Sequence, residues 1–359
     1  VAMQNIVTAS HDRTARVWSA QTGECLRALH GHTDTLRTAV FSRDGVWVLT
    51  ASDDSTARIW SVDSGECRHM LRGHGSAVPS AAFSEDGALA LTASWDGTAR
   101  IWSVESGACL RTLQGHDDRV SSAVFSPTGS AVLTASWDGT AKLWSAATGR
   151  CAMAFEGHAS RVSSAVLSSG GGRAVTASWD GTARIWDVAT GDCLQVLEGH
   201  ESGLSSALLS GSDEWVLTAS WDGTAKIWSA TSGACRLTFE GHGSRLSSAV
   251  ISADDRLAMT TSWDSTVRIW SVATGDCVRL LEDGSRISSA AFSLDGAWVL
   301  AASSDGAARV WSVATGRCMQ ILQGHEGAVM SAAFSASGSF SLSSCWEDDG
   351  SGAPECSAR

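Results

Sequence analysis

Apolar residues in this chain fall in short runs, each cut off by Gly, Asp, Ser or Thr. Between residues 119 and 158 the pattern is clearest. Val120 to Ser126 is a first run, closed by Pro127-Thr128-Gly129, and Ala131 to Ser136 is a second, closed by Asp138-Gly139. Thr140 to Ser145 follows, closed by Thr148-Gly149, and then Cys151 to Glu156. Runs of this length, rich in β-branched and aromatic residues and bounded by turn formers, predict strands. Asp-Gly suits a tight hairpin turn, because Gly accepts positive φ and Asp bonds its own backbone. Gly157-His158 then leads into another set of four.

The set repeats. TASWDGTA stands unchanged at Thr92, Thr134, Thr176 and Thr218, with looser copies near Thr8, Thr50, Thr260 and Ala302. A fixed period of this length marks an architectural unit, so the repeat outranks any single residue. Four antiparallel strands per unit with a Gly-His lead-in resembles the WD-repeat β-propeller family over about residues 5 to 343. One departure is plain: the Trp-Asp that names the family reads Trp-Ser in most copies, as at Trp102-Ser103, and only Trp186-Asp187 fits strictly.

Counting strands sets the ring size. Third-strand tryptophans run from Trp18 to Trp311 and first strands from Leu36 to Val329, eight of each. The N-terminus supplies a second, third and fourth strand over residues 5 to 29, and the C-terminus a first strand at Val329 to Ser335. Joining the ends completes a blade and removes exposed strand edges. The expectation is an all-β, closed propeller of eight four-stranded blades, with seven blades and a surplus repeat as the alternative. Residues 1–343 form the propeller in this reading, and the Gly/Ser/acid-rich residues 344–359 a disordered tail.

Every complete repeat holds His, Ser, Asp and Trp at fixed offsets: His74/Ser94/Asp96/Trp102, His116/Ser136/Asp138/Trp144, His158/Ser178/Asp180/Trp186 and His200/Ser220/Asp222/Trp228 are four of them. A catalytic reading makes a Ser-His-Asp triad. Repetition around a ring favours structural fasteners, since an enzyme needs one site with its own pocket. The family resemblance implies the same, with the tetrad tying the lead-in loop to the second and third strands. His325 joins Ser10, Asp12 and Trp18 across the ends, while Ser303, Asp305 and Trp311 lack a His because Glu282-Asp283-Gly284 replaces Gly-His. That blade is expected to be the weakest.

Strand parity puts the lead-in loop and the second turn at one end of each blade. Arg119, Arg161, Arg245 and Arg286 therefore share a face with Trp95, Trp137, Trp179, Trp221 and Trp263. Through residues at these positions the resemblance implies a partner-binding face. The bland account is that the rings only pack on neighbouring blades. The blades at the seam carry His11/Ala328 and Asp53/Thr35 instead, so an arc is expected, suited to an acidic or phosphorylated protein segment. The opposite face carries Glu85, Asp86, Asp213, Glu214, Asp254, Asp255 and Asp295.

Composition narrows the rest. A formal charge of −12 argues against generic nucleic-acid binding. No apolar run approaches the roughly 18 residues of a membrane span. Eight cysteines recur once per unit, Cys25 to Cys318, too far apart for a disulfide framework or a zinc site; they are expected to be small buried hydrophobes in a reducing, intracellular compartment, cytoplasmic or nuclear. No phosphate loop or metal cluster is present in the sequence, so neither cofactor nor metal is expected. The chain starts at Val1 without Met, which suggests a fragment or processed form. The function expected is a non-catalytic interaction scaffold. The alternatives are a sensor or regulatory module of a larger protein, such as a nucleotide-binding one, and an enzyme with its site in the channel.

Overall fold

The structure, a computed structural model, describes residues 5–335. Their thirty-two strands form eight four-stranded antiparallel sheets. Seven blades are contiguous in the chain. In blade 3 the strands are β12 (Val120–Phe125), β13 (Ala131–Ser136), β14 (Ala141–Ser145) and β15 (Cys151–Phe155), paired in that order from the axis outward. Blade 1 occupies residues 36–71, blade 2 residues 80–114, blades 4 to 6 residues 162–282, and blade 7 residues 287–323.

The eighth blade is shared by the two ends. Strand β32 (Val329–Phe334) pairs antiparallel with β1 (Ile6–Ser10), with Ile6 opposite Phe334 and Val7 opposite Ala333. Each innermost strand touches those of the blades before and after it, all the way round. The ring is closed by the strand that the sequence left over, and the alternative of seven blades with a surplus repeat does not occur. The expected tail, residues 344–359, lies outside the described residues.

The core is layered between blades. Leu49, Ile59 and Leu71 of blade 1 pack on Val78, Phe83 and Trp102 of blade 2, and the remaining interfaces repeat this arrangement, including the one that joins blade 7 to the shared blade. Burying such apolar surface is the main term that holds blade to blade. A second tie runs round the rim: Arg27 donates to the carbonyl of Asp63 and Arg111 to that of Ala147, each from the outermost strand of one blade to the third turn of the next.

The cysteines correct the sequence reading. Seven of the eight are exposed and Cys318 is half-buried. Each opens an outermost strand, where β11 (Cys109–Gln114) buries Leu113 alone. An edge strand at the circumference has no neighbour on its outer side, so the small-hydrophobe argument does not apply there. Each thiol donates to the carbonyl two residues on, as Cys109 does to Arg111.

Candidate functional site

The repeated polar residues form a chain of hydrogen bonds whose order is set by donor chemistry. In blade 2 the Trp102 indole N–H, which can only donate, gives its hydrogen to Thr92 Oγ1 at 2.9 Å. The Thr92 hydroxyl lies 2.7 Å from His74 Nε2, and His74 Nδ1 lies 2.9 Å from Asp96 Oδ2. Asp96 also accepts from the Gly75 amide and the Thr98 hydroxyl. Thr92 therefore donates to Nε2, and Nδ1 donates to the carboxylate.

The hydroxyl in this chain is Thr92, and the expectation of Ser94 in that place is corrected. Ser94 donates instead to the carbonyl of Ser76 and accepts from the Asp96 amide, shaping the second turn. Thr134, Thr176 and Thr218 take the same place between His116 and Trp144, His158 and Trp186, and His200 and Trp228. Ser136, Ser178 and Ser220 repeat the turn role of Ser94. Across the ends, His325 meets Asp12 at 2.8 Å and Thr8 at 2.7 Å. The threonines are wholly buried, so no substrate can reach the one hydroxyl that a neutral His could activate.

Electrostatics keep the acid of these networks ionised. Burial alone would raise the carboxyls of Asp96, Asp138, Asp180 and Asp222, but hydrogen bonds from His and Thr outweigh it and hold them well below the usual carboxylate range. For His242 and His325 burial prevails over the attraction of Asp264 and Asp12, and both imidazoles titrate below their ordinary range.

Blade 7 is built differently. Asp283 has a buried side chain held by Arg309 at 2.7 Å, and the other arm of Arg309 reaches Asp305 at 2.5 Å. Burial pushes the Asp283 carboxyl up, and its ion partner does not fully offset that. Ala301 pairs with Arg309 where Thr92 pairs with Arg100, so the acceptor for Trp311 is missing too. The Trp311 indole N–H has no hydrogen-bond partner among the described residues.

On the lead-in face, the backbone fixes the expected pairs. The Trp137 amide donates to the Arg119 carbonyl, Trp179 to Arg161, and Trp263 to Arg245. The side chains then interleave across blades. Arg119 lies 4.8 Å from the Trp95 ring centre and 4.6 Å from that of Trp137, and Arg161 lies 4.0 Å from Trp137 and 4.7 Å from Trp179. Farther on, Arg245 lies between Trp221 and Trp263, and Arg286 ends the series over Trp263. Gly203 interrupts it, and there Trp179 and Trp221 close to 4.7 Å. The rings do pack on neighbouring blades, and the arginines are the spacers between them.

Sequence reasoning missed Arg37. It donates to Asp53 through Nε and Nη2, at 2.7 to 3.0 Å, and its guanidinium carbon lies 5.8 Å from the Trp95 ring centre. The local signal was present: Asp53 replaces Trp in the one blade with an arginine two places on from the usual position. The arc thus runs from Trp95 of blade 2 to Trp263 of blade 6, is capped by Arg37 from blade 1 and Arg286 from blade 7, and breaks at Ser304, Ala328, His11 and Thr35. Among the described residues no group of three His, Cys, Asp or Glu could hold a metal, and no helix is long and apolar enough to cross a membrane.

Comparison with known proteins supplies the context. The family profile described as WD40, "WD domain, G-beta repeat", matches residues 23–61, 65–103, 107–145, 149–187, 191–229, 233–271, 275–312 and 316–351. The first seven matches each begin near an outermost strand and end at the third strand of the next blade, so the sequence repeat straddles two blades. A WD repeat-containing protein, pop1 of Schizosaccharomyces pombe, is 56% identical over 32 residues, 9% of this chain and 4% of that protein. The matched stretch is thus a small fraction of that relative. The crystal structure of the computationally designed Ika8 protein superposes with a TM-score of 0.78 at 28% identity, over 87% of this chain and 94% of that one.

Proposed function

The chain belongs to the WD40 family, and on that premise we propose that it is a non-catalytic platform that docks an acidic or phosphorylated protein segment across the Arg/Trp arc. Propellers of this family typically serve as protein-interaction scaffolds. The observation that carries the finer reading is the alternation of Trp95, Arg119, Trp137, Arg161 and Trp179 along one mouth of the ring. Indoles flank Arg119 and Arg161 on both sides, and a guanidinium offers N–H groups in the fork that carboxylate and phosphate accept. Among the described residues Arg161, Arg245 and Arg286 have no ion-pair partner. A rigid cation that is already ordered loses little entropy on binding.

The test is a pull-down with the chain carrying Arg119→Ala, Arg161→Ala and Arg245→Ala, after its melting curve has been matched to the parent. Loss of an acidic or phosphorylated partner, partial recovery with Lys at the same positions, and weakening with salt are expected. A partner that binds the Ala variant at full strength and is released by Asp86→Lys or Glu214→Lys on the other face would refute the reading.

A further inference from the structure

The innermost strands end at the opposite mouth of the channel. There Val124, Val166, Leu208 and Val250, from four successive blades, with Ala82 beside them, line an open cavity of about 500 Å³. Its walls are apolar and its rim carries Glu85, Asp213 and Asp255. Two of these acids are built into place. Asp213 accepts from the Ser169 amide at 3.2 Å and hydroxyl at 3.0 Å, and Asp255 accepts from the Gly211 and Ser212 amides, both at 2.9 Å. Each carboxylate thus fastens its own first turn to that of the preceding blade. Among the described residues neither has a cation as partner.

We propose that this mouth is a second docking site, which takes an apolar side chain flanked by Lys or Arg from a cationic segment of a partner protein. The cavity has the volume of a ligand site, roughly 300–1,000 Å³ in proteins generally, and a water-excluding wall rewards an apolar group. Glu85 is paired with Arg43, and the two fixed carboxylates, Asp213 and Asp255, select the sign of the flanking charge, because an acidic segment would meet their repulsion. Asp86 and Asp254, in the same turns, receive hydrogen bonds from Ser84 and Ser252 that hold them below the usual carboxylate range. The chain's net charge of −12 draws a cationic segment from a distance. The two mouths of one ring thereby sort partners by charge.

The experiment uses the full chain and a fluorescein-labelled peptide, Lys-Lys-Leu-Phe-Lys-Lys, followed by anisotropy. Lys-Lys-Ser-Ser-Lys-Lys and Glu-Glu-Leu-Phe-Glu-Glu are the comparisons, and both should bind more weakly by about tenfold or more. Ala82→Phe fills the cavity and should weaken the first peptide by about tenfold, while Glu214→Lys, on an exposed turn, should weaken it about threefold without touching the wall. Arg119→Ala, at the other mouth, should leave it unchanged. Equal binding of the Ser-Ser peptide, full binding to both Ala82→Phe and Glu214→Lys, or loss on Arg119→Ala would each overturn the assignment. So would sedimentation showing that a second copy occupies this mouth and that the peptide displaces it.

Discussion

The arc of blades 2 to 6 and the seam of blades 7, 8 and 1 share one fold yet solve different problems. In the arc each complete blade carries the same His network, and the mouth above it is tiled with arginine and tryptophan. At the seam the mouth holds Ser304, His11 and Asp53, one blade is stitched from both ends, and another replaces imidazole with a buried ion cluster. The arc keeps a Trp at the second turn of every blade, from Trp95 to Trp263, where a partner would need a continuous surface. The seam departs from the repeat where closure has to be secured.

Removing the seam's closing strand should have the largest effect. Deleting residues 326–359 takes away β32 and exposes an unpaired edge along β1, and the expected result is aggregation or loss of a single cooperative unfolding transition. A truncated chain that stays monomeric and melts with the parent would break the comparison at its base.

Next comes Arg309→Ala. It leaves Asp283 buried without its cation, a change that costs about 3–5 kcal/mol. The matching change in the arc, Arg100→Ala, removes no ion pair and should cost much less. Denaturant midpoints of the two variants would show the order, and near-equal losses would mean that the blade 7 cluster is not what holds that blade.

Within the arc, Thr134→Ala and His116→Ala should each cost about 1–3 kcal/mol, since either leaves buried partners unsatisfied. Both should exceed Ser136→Ala, whose hydroxyl bonds only backbone atoms, the Asp118 carbonyl and the Asp138 amide. The same networks set the pH response. The depressed Asp carboxyls contribute stability that is present above the unfolded-state range and is lost as pH falls towards their folded values. His242 and His325, also depressed, disfavour protonation in the folded state, so their share starts to go as pH drops below about 6.5. Asp283, which is raised, acts in the opposite sense and favours the fold as it becomes protonated. Melting temperatures should therefore fall between neutral pH and pH 5, and the fall should shrink in His242→Gln.

Ala301→Thr is the smallest expected change and the sharpest. It offers the Trp311 N–H the acceptor it lacks, and should stabilise blade 7 by about 0.5–1.5 kcal/mol. No gain in its denaturant midpoint would mean that the absent His, and not the absent hydroxyl, sets that blade apart.

The chain's sequence displays its own architecture because turn chemistry and strand length recur in register, and because the two ends hold complementary parts of one blade. Parity along the strands was enough to bring Arg119 and Trp137 together at one mouth. Three features were not legible. Thr134 and Ser136 stand two apart on β13, so periodicity places both on one side and cannot say which reaches the imidazole. Cys109 reads as a buried residue by type, yet its strand lies at the circumference. The contact of Arg119 with Trp95 depends on how far blades rotate against each other, which no pattern within one repeat encodes.

Hydrogen–deuterium exchange of the full chain, with and without a saturating peptide of alternating glutamate and phosphoserine, tests the docking claim most directly. Slower exchange is expected in the second turns beside Trp137, Trp179 and Trp263, with no change around His11 and Asp53. Protection at the seam or at the opposite mouth, or none anywhere at saturation, would contradict the account.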